Sequence, residues 1–273
     1  MTHAEVDDLR KNVESNPLWY HTIELAPGIV TPGWFDLRPI VDGLPWPDLR
    51  GKRCLDVGTY DGFLAFEMER RGAAEVVATD IPAHSEWDWH VRLRAQGGER
   101  LARLAGPEKG LGFEIARDAL SSRVERVWCS VYDLDTENLG TFDVVACGSL
   151  MLHLRDPVRA LEAIRGVCGG AFLSAEGIDL ALTLRHPRTP LARLDGVSDL
   201  LHWWTVNSAG HRQLLLAAGF RPQRSSGLYA LPFGPAHPVR RGGVRNLSAA
   251  LLRRALTGGT GQPNVARLAT PDI

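Results

Sequence analysis

Two carboxylates and a glycine turn carry the first chemical signal in the chain. Asp56 stands near the end of the apolar run Arg53-Cys54-Leu55-Asp56-Val57-Gly58, and Thr59-Tyr60-Asp61-Gly62 completes the turn before an amphipathic stretch. A strand, a glycine turn and a helix aim backbone N–H groups and the positive end of the helix dipole at the strand's carboxyl end, where ligands bind in open α/β sheets. The turn reads G-x-x-x-G with Tyr60 at its centre, and no lysine follows. It matches neither the dinucleotide fingerprint nor the phosphate loop. Asp56 points away from phosphate too: a carboxylate repels a pyrophosphate and favours a ligand with a charged α-amino group. Asp80, closing the next apolar run EVVATD, is placed for a bidentate contact with two ribose hydroxyls. S-adenosyl-L-methionine meets both demands.

The elements that must position these residues follow from alternating apolar runs and amphipathic stretches, the pattern of a parallel sheet covered by helices. RCLDVG (53–58), EVVATD (75–80), RVERVWCSV (123–131), FDVVACG (142–148) and GAFLSAEG (170–177) read as five strands, with a helix over 61–71 after the glycine turn. Asp156 caps a helix that Pro157 opens, because a proline's missing N–H is not needed in the first turn. Ser208 is expected to cap a further helix to Ala218, stopped by Gly219, and FRPQRSSGLYALPFG then offers two strands of a hairpin. The fold class is therefore α/β: a Rossmann-like sheet of five parallel strands plus a C-terminal antiparallel hairpin, with helices on both faces.

Residues 1–50, 81–122 and 178–207 lie outside that scheme and are expected to form a cover. The organisation expected is an N-terminal cover segment 1–50, a binding domain 51–236 with a cap insert at about 178–207, and a basic tail 237–273. The tail has Arg240, Arg241, Arg245, Arg253, Arg254 and Arg267 against one acid, Asp272. A frayed tail is expected there in preference to a short amphipathic helix over NLSAALLRRAL.

Composition narrows the class. Of 273 residues, 44% are hydrophobic and 23% charged, which suffices to bury a full core. Lys plus Arg number 31 against 32 Asp plus Glu, a net charge of -1, so no global basic field attracts nucleic acid or an anionic membrane. The N-terminal MTHAEVDDLRKN is charged where a secretory peptide needs an apolar core, and no run approaches the roughly 18 apolar residues of a membrane span. A cytoplasmic location is expected. Cys54, Cys129, Cys147 and Cys168 lack the short spacings of zinc or dithiol motifs and are read as reduced thiols. On the strand ranges above, three of them (Cys54, Cys129 and Cys147) fall in buried strands.

These motifs resemble those of the class I S-adenosylmethionine-dependent methyltransferases. The glycine motif matches D-V-G-T-Y-D-G, the ribose acid matches Asp80 with Ile81 beside it, the residues bordering the adenine match Tyr132, Asp133 and Leu134, and the fourth-strand motif matches FDVVACGSLMLHL, with Cys147, Gly148 and Ser149 at the strand end. Each motif is common alone; the four in this order on these elements are specific, over about residues 50–230. The resemblance implies S-adenosyl-L-methionine as cofactor, held by Asp56, Gly58, Thr59, Tyr60, Asp61, Gly62 and the other residues just named, and S-adenosyl-L-homocysteine as product. In such folds the end of the fourth strand faces the sulfonium methyl, which places His153 in the passage to the acceptor. An alcohol is a poor nucleophile until its proton is removed, and histidine suits that task near neutral pH. A structural histidine at this loop is the other reading of His153. No metal is expected, because Asp156 is occupied as a helix cap.

A closer resemblance lies in WYHTIELAPGIVTPGWFDLRPIV, LMLHLRDP and WWTVNSAGHRQLLLAAGF. These are similar to the subgroup holding the bacterial tRNA wobble-uridine enzymes, which use carboxy-S-adenosylmethionine, and related sugar and natural-product O-methyltransferases. In the wobble-uridine enzymes a tyrosine precedes the histidine and helps hold the extra carboxylate; here Leu152 stands there, which favours ordinary S-adenosylmethionine. Of eight tryptophans only Trp128 falls in a core strand, while Trp19, Trp34, Trp46, Trp87, Trp89, Trp203 and Trp204 fall in the cover. Indole faces suit sugars and nucleobases, and the same residues can simply pack the cover onto the sheet. The leading expectation is O-methylation of a hydroxyl on a sugar, oligosaccharide or sugar-bearing metabolite with His153 as base. Tyr20, His21, Trp34, Asp36, Trp203 and Asn207 are the expected acceptor contacts. A tRNA-directed enzyme and a cofactor-binding protein without turnover are the alternatives.

Overall fold

Adjacent residues of the apolar runs face opposite sides of one sheet, and the alternation is visible in the core. In the computed structural model, which describes residues 2–105, 109–196, 201–238 and 247–272, seven strands form the central sheet. They are β1 (Arg53–Val57), β2 (Glu75–Asp80), β3 (Glu125–Trp128), β4 (Phe142–Gly148), β5 (Cys168–Gly177), β6 (Phe220–Leu231) and β7 (Gln262–Pro271). Their order across the sheet is β6-β7-β5-β4-β1-β2-β3. Strands β1 to β5 run parallel, and β7 is antiparallel to both β5 and β6.

On one face, Cys54 of β1 and Val144 and Ala146 of β4 pack with Trp19, Phe63, Met68 and Phe113. On the other, Leu55, Val57 and Val145 pack with Leu161, Ile164, Phe172, Leu215 and Phe220. The period of two along each strand thus feeds two apolar layers. Helices α1 (His3–Ser15), α2 (Phe63–Arg70) and α3 (Leu111–Ala119) supply the first; α4 (Pro157–Val167) and α5 (Ser208–Ala217) supply the second. The Asp56–Gly62 turn joins β1 to α2, and β1 lies between β2 and β4, so the turn opens near the middle of the sheet.

Several expectations need correction. FRPQRSSGLYAL is one strand, not two: Gly227 at φ 74 accompanies a register shift between Ser225 and Leu228, a bulge in place of a hairpin turn. Its partner is β7, in the segment expected to fray. Val265, Ala266 and Ala269 are fully buried there between β5 and β6. One of the six arginines that made this segment look solvated, Arg267, is itself buried: one guanidinium nitrogen donates to the carbonyl and hydroxyl of Ser208, at 2.8 Å each. Helix α6 (Leu247–Thr257) precedes β7, so most of NLSAALLRRAL is helical and not frayed. Arg240, Arg241 and Arg245 lie outside the described residues.

Helix α5 is capped by Asn207 and not by Ser208: the Asn207 Oδ1 accepts from Gly210 N at 2.7 Å. Asp156 caps α4 as expected, accepting from Arg159 N at 3.0 Å, with Pro157 in the first turn. Trp128 is not in the core, because β3 is an edge strand; the side chain is 41% exposed beneath the Arg126 guanidinium, 4.2 Å from the ring centroid. Cys129 falls just past that strand and is half-buried, whereas Cys168 opens β5 and is buried. All four thiols are free.

Candidate functional site

The glycine turn is held by its neighbours' backbones. Gly58 and Thr59 both donate to the Thr79 carbonyl of β2, at 2.9 and 3.0 Å, which draws the turn onto the end of the second strand. Gly58, Tyr60 and Gly62 all have positive φ, at 75°, 50° and 90°. A Cβ on Gly62 would come within 2.5 Å of the Phe66 ring and 2.9 Å of Phe113, so that position needs glycine on two counts. A Cβ on Gly58 would lie 3.1 Å from Leu150, which shows how closely the loop after β4 approaches the turn.

The acids predicted to bind a ligand are buried around this turn. Burial pushes the Asp56 carboxyl up to about 7, and the Asp80 carboxylate adds to the push. Among the described residues Asp56 Oδ2 is buried without a hydrogen-bond partner of good geometry, although the Thr59 hydroxyl and Ala65 N–H lie close enough to the carboxylate to oppose the push. An unsatisfied polar atom of this kind needs an explanation, and a ligand amine is one it would suit. Asp80 receives Tyr60 N on Oδ2 at 2.9 Å and Ile81 N on Oδ1 at 2.8 Å. Lys109, which the sequence reading did not single out, donates to the same Oδ1 at 2.6 Å. Its ammonium lies 5.0 Å from the Tyr60 ring centroid and 5.2 Å from that of Trp87.

Asp61 does something the sequence did not suggest. Its Oδ2 accepts from Tyr20 N at 2.6 Å and His21 N at 2.9 Å, tying the N-terminal cover to the turn. Burial pushes this carboxyl up to about 7 against those two bonds. The Tyr20 ring then lies 5.1 Å from Tyr60 and 6.3 Å from Trp34, so three of the predicted residues meet over the turn. His21 packs on Phe63, and burial holds its imidazole down to about 3. Asp36 is elsewhere engaged, as a two-bond partner of Arg38 at 2.8 Å. Asn207 is fully buried, accepts from Leu191 N and Gly210 N and donates to the His186 and Thr189 carbonyls, so its amide is spent on the cap.

Beyond β3, Tyr132 and Asp133 lie in a short helical turn, with Tyr132 half-buried, Asp133 exposed and Leu134 buried. The Tyr132 hydroxyl donates to Asp88 at 2.5 Å and accepts from Asp156 N at 3.1 Å. Asp88 also accepts from Arg155 N at 2.7 Å, and its carbonyl accepts from the Trp203 indole at 2.6 Å. Trp203 thus pins the cap to the connection after β2. Trp19 and Trp46 give their indole N–H to main-chain carbonyls of the cover and Trp204 to the Arg155 carbonyl after β4, so packing accounts for their placement.

At the end of β4, Cys147 is buried, and Ser149, at φ 52, donates its N–H to Ala175 of β5 at 2.8 Å. His153 Nδ1 lies 2.9 Å from the Leu201 carbonyl. A carbonyl only accepts, so the proton sits on Nδ1 and the lone pair on Nε2. Burial, with His202 beside it, holds His153 down to about 4. A cavity of about 320 Å³ opens next to it, walled by Met151, Leu152, Pro157, Trp204 and Leu214, with Glu176 of β5 in its wall. His153 is outside that wall. Glu176 was missed in sequence reading, though an acid in the otherwise apolar GAFLSAEG was a signal. Among the described residues no group of three His, Cys, Asp or Glu side chains could hold a metal ion.

The fold is shared with solved structures. The Burkholderia thailandensis 1,6-didemethyltoxoflavin-N1-methyltransferase, with bound 1,6-didemethyltoxoflavin and S-adenosylhomocysteine, superposes with a TM-score of 0.50 over 82% of this chain and 72% of its own, at 16% identity. The N-terminal domain of EvdMO1, in the presence of S-adenosylhomocysteine and D-fucose, gives 0.51 over 100% of this chain and 98% of its own, at 14% identity. The chain has the class I methyltransferase fold. Within it, the Asp56–Gly62 turn and Asp80 occupy the carboxyl ends of β1 and β2, and the cavity lies between the end of β5, the loop that follows β4 and helices α4 and α5. In sequence, a ubiquinone biosynthesis O-methyltransferase of Neisseria meningitidis is 36% identical over 132 residues, 47% of this chain and 45% of that protein. The match thus spans less than half the length of that relative. No protein-family model matches the chain.

Proposed function

We propose that the chain is an S-adenosylmethionine-dependent O-methyltransferase acting on a hydroxyl of a small, largely apolar acceptor, with a phenolic ring as the favoured class. The observation that carries the donor assignment is the pairing of a buried acid with one unsatisfied oxygen, Asp56, with a second acid, Asp80, across the glycine turn. Asp56 and Thr59 would meet the α-amino end, Asp80 the ribose, and Tyr132, Asp133 and Leu134 the adenine side. Cys147, Gly148 and Ser149 would border the sulfonium. When bound, this cofactor supplies an electrophilic methyl group; the chain's own residues orient the acceptor and manage its proton.

The acceptor class rests on the cavity. Its wall is dominated by Met151, Leu152, Pro157, Trp204 and Leu214, which suits an aromatic ring better than a polyhydroxylated oligosaccharide. The curated relatives named as ubiquinone biosynthesis O-methyltransferases favour the same class. A sugar hydroxyl remains the second reading, favoured by the full-length likeness to the EvdMO1 domain in the presence of D-fucose and by Tyr20 and Trp34 over the turn. A nucleic-acid acceptor has less support, since the net charge is -1 and Arg267, one of the tail arginines, is buried in the sheet. Incubation with isotope-labelled S-adenosylmethionine and a panel of catechols, monophenols, monosaccharides and tRNA distinguishes them. Label in a catechol or monophenol product is expected; label only in sugars or tRNA would overturn the phenolic assignment.

A further inference from the structure

Glu176 is the next-to-last residue of β5 and only 2% exposed, yet its carboxylate is poorly satisfied. Oε1 faces Leu150 N and Met151 N at 3.4 and 3.5 Å, and Oε2 is buried without a hydrogen-bond partner among the described residues. Among the described residues no cation pairs with it. A buried carboxylate this weakly bonded is costly to keep, which directs attention to what it faces. It lines the 320 Å³ cavity, and its neighbours Leu150 and Met151 belong to the loop that meets the glycine turn. The carboxylate therefore stands between the acceptor cavity and the end of β4.

We propose that Glu176 takes the proton from the acceptor hydroxyl during methyl transfer, in place of the His153 expected from sequence. This rests on the methyltransferase reading above. The step balances simply. As the hydroxyl proton passes to the Glu176 carboxylate, the acceptor oxygen forms a C–O bond to the methyl carbon while the carbon–sulfur bond breaks. The electron pair leaves with sulfur as a neutral thioether, and the carboxyl later releases its proton to solvent. Base strength agrees with the geometry. Burial pushes Glu176 up to about 8, whereas His153 is held down to about 4 and lies outside the cavity wall. A base poised near the working pH is the more effective one. The titratable groups that sense Glu176 are Tyr20, Cys147 and Tyr229, all raised in part by its charge; Arg155, Asp156 and His211 share the cavity wall.

The test compares wild type, Glu176→Gln and His153→Asn with catechol as the probe. Wild-type kcat/KM should rise with pH and level off above about pH 8, and Glu176→Gln should lose about a hundred-fold or more in kcat with a flat profile and little change in KM. His153→Asn should keep the rise. S-adenosylhomocysteine affinity, measured by calorimetry, should be unchanged in Glu176→Gln, which separates loss of the base from loss of the fold. Infrared difference spectra give a readout without turnover: a protonated-carboxyl band present in wild type and absent from Glu176→Gln should shift when catechol is added. Turnover in Glu176→Gln within about three-fold of wild type would overturn the proposal and leave the methyltransferase reading standing. A band that catechol does not shift would overturn it even if wild type turns over no phenol. Failure of wild type to bind S-adenosylhomocysteine would instead count against the methyltransferase reading.

Discussion

At the scale of single residues, the site is an assembly of buried titratable groups whose burial sets their protonation. Asp56 and Asp61 are raised to about 7, while His21 and His153 are lowered to about 3 and about 4. For a histidine lowered in the fold, stability is present above the unfolded value of 6.5 and is lost as pH falls toward the folded one. His21 alone should therefore cost about 1.4 kcal/mol per pH unit below about pH 6. The raised carboxylates act in the opposite direction, losing stability as pH rises from 3.8 through about 7. Urea midpoints of wild type and His21→Phe at neutral and mildly acidic pH isolate the histidine: the variant should gain on wild type as pH falls. Lys109 makes a second prediction. It holds the acid assigned to the ribose, so Lys109→Met should bind S-adenosylhomocysteine several-fold more tightly, and weaker binding in a titration would show that the lysine helps the ligand. Asp56 and Asp80 were legible because strand–turn–helix spacing fixes where they fall. Lys109 was not, because its place depends on how a long connection returns across the sheet, and Glu176 was hidden in an apolar run.

At the scale of elements, the parallel strands β1 to β5 and the helix after the glycine turn could be read from periodicity and caps. The C-terminal pair could not. A glycine bulge resembles a hairpin turn in sequence, and β7 carries a buried arginine whose serine partners are remote in the chain. Because β7 pairs on both sides, deleting residues 258–273 would leave β5 and β6 with unpaired edges. Such a truncation should lose the cooperative unfolding transition, as followed by circular dichroism; a truncated chain that still melts cooperatively would contradict the central place of β7. Asn207 supplies a milder test. Asn207→Ala should cost about 1 to 2 kcal/mol through the lost cap of α5, read as a lowered urea midpoint. Its KM for the acceptor should stay near wild type, as befits a side chain spent on the backbone.

At the scale of the molecule, the cover closes over the sheet through polar ties at its edges and apolar packing within. Asp61 holds Tyr20 and His21, Asp88 joins Tyr132 to Arg155, and Trp203 reaches the Asp88 carbonyl. Tryptophan placement read from sequence suggested a sugar-binding surface; the indole N–H groups of Trp19, Trp46 and Trp203 are instead directed to the cover's own carbonyls and that of Trp204 to Arg155 beside it. The space proposed for the acceptor is the apolar cavity at the end of β5, to which Ala192, Trp204 and Val206 of the cap segment contribute. The donor end of the account is the more exposed to disproof, since everything else is built on the Asp56 and Asp80 turn. Calorimetric titration of S-adenosylhomocysteine into wild type and Asp80→Asn tests it directly. The expected result is saturable one-to-one binding in wild type, weakened about ten-fold or more in the variant by loss of about 1.4 kcal/mol or more at the ribose contact. Absence of binding to wild type, or equal affinity in the two proteins, would contradict the account.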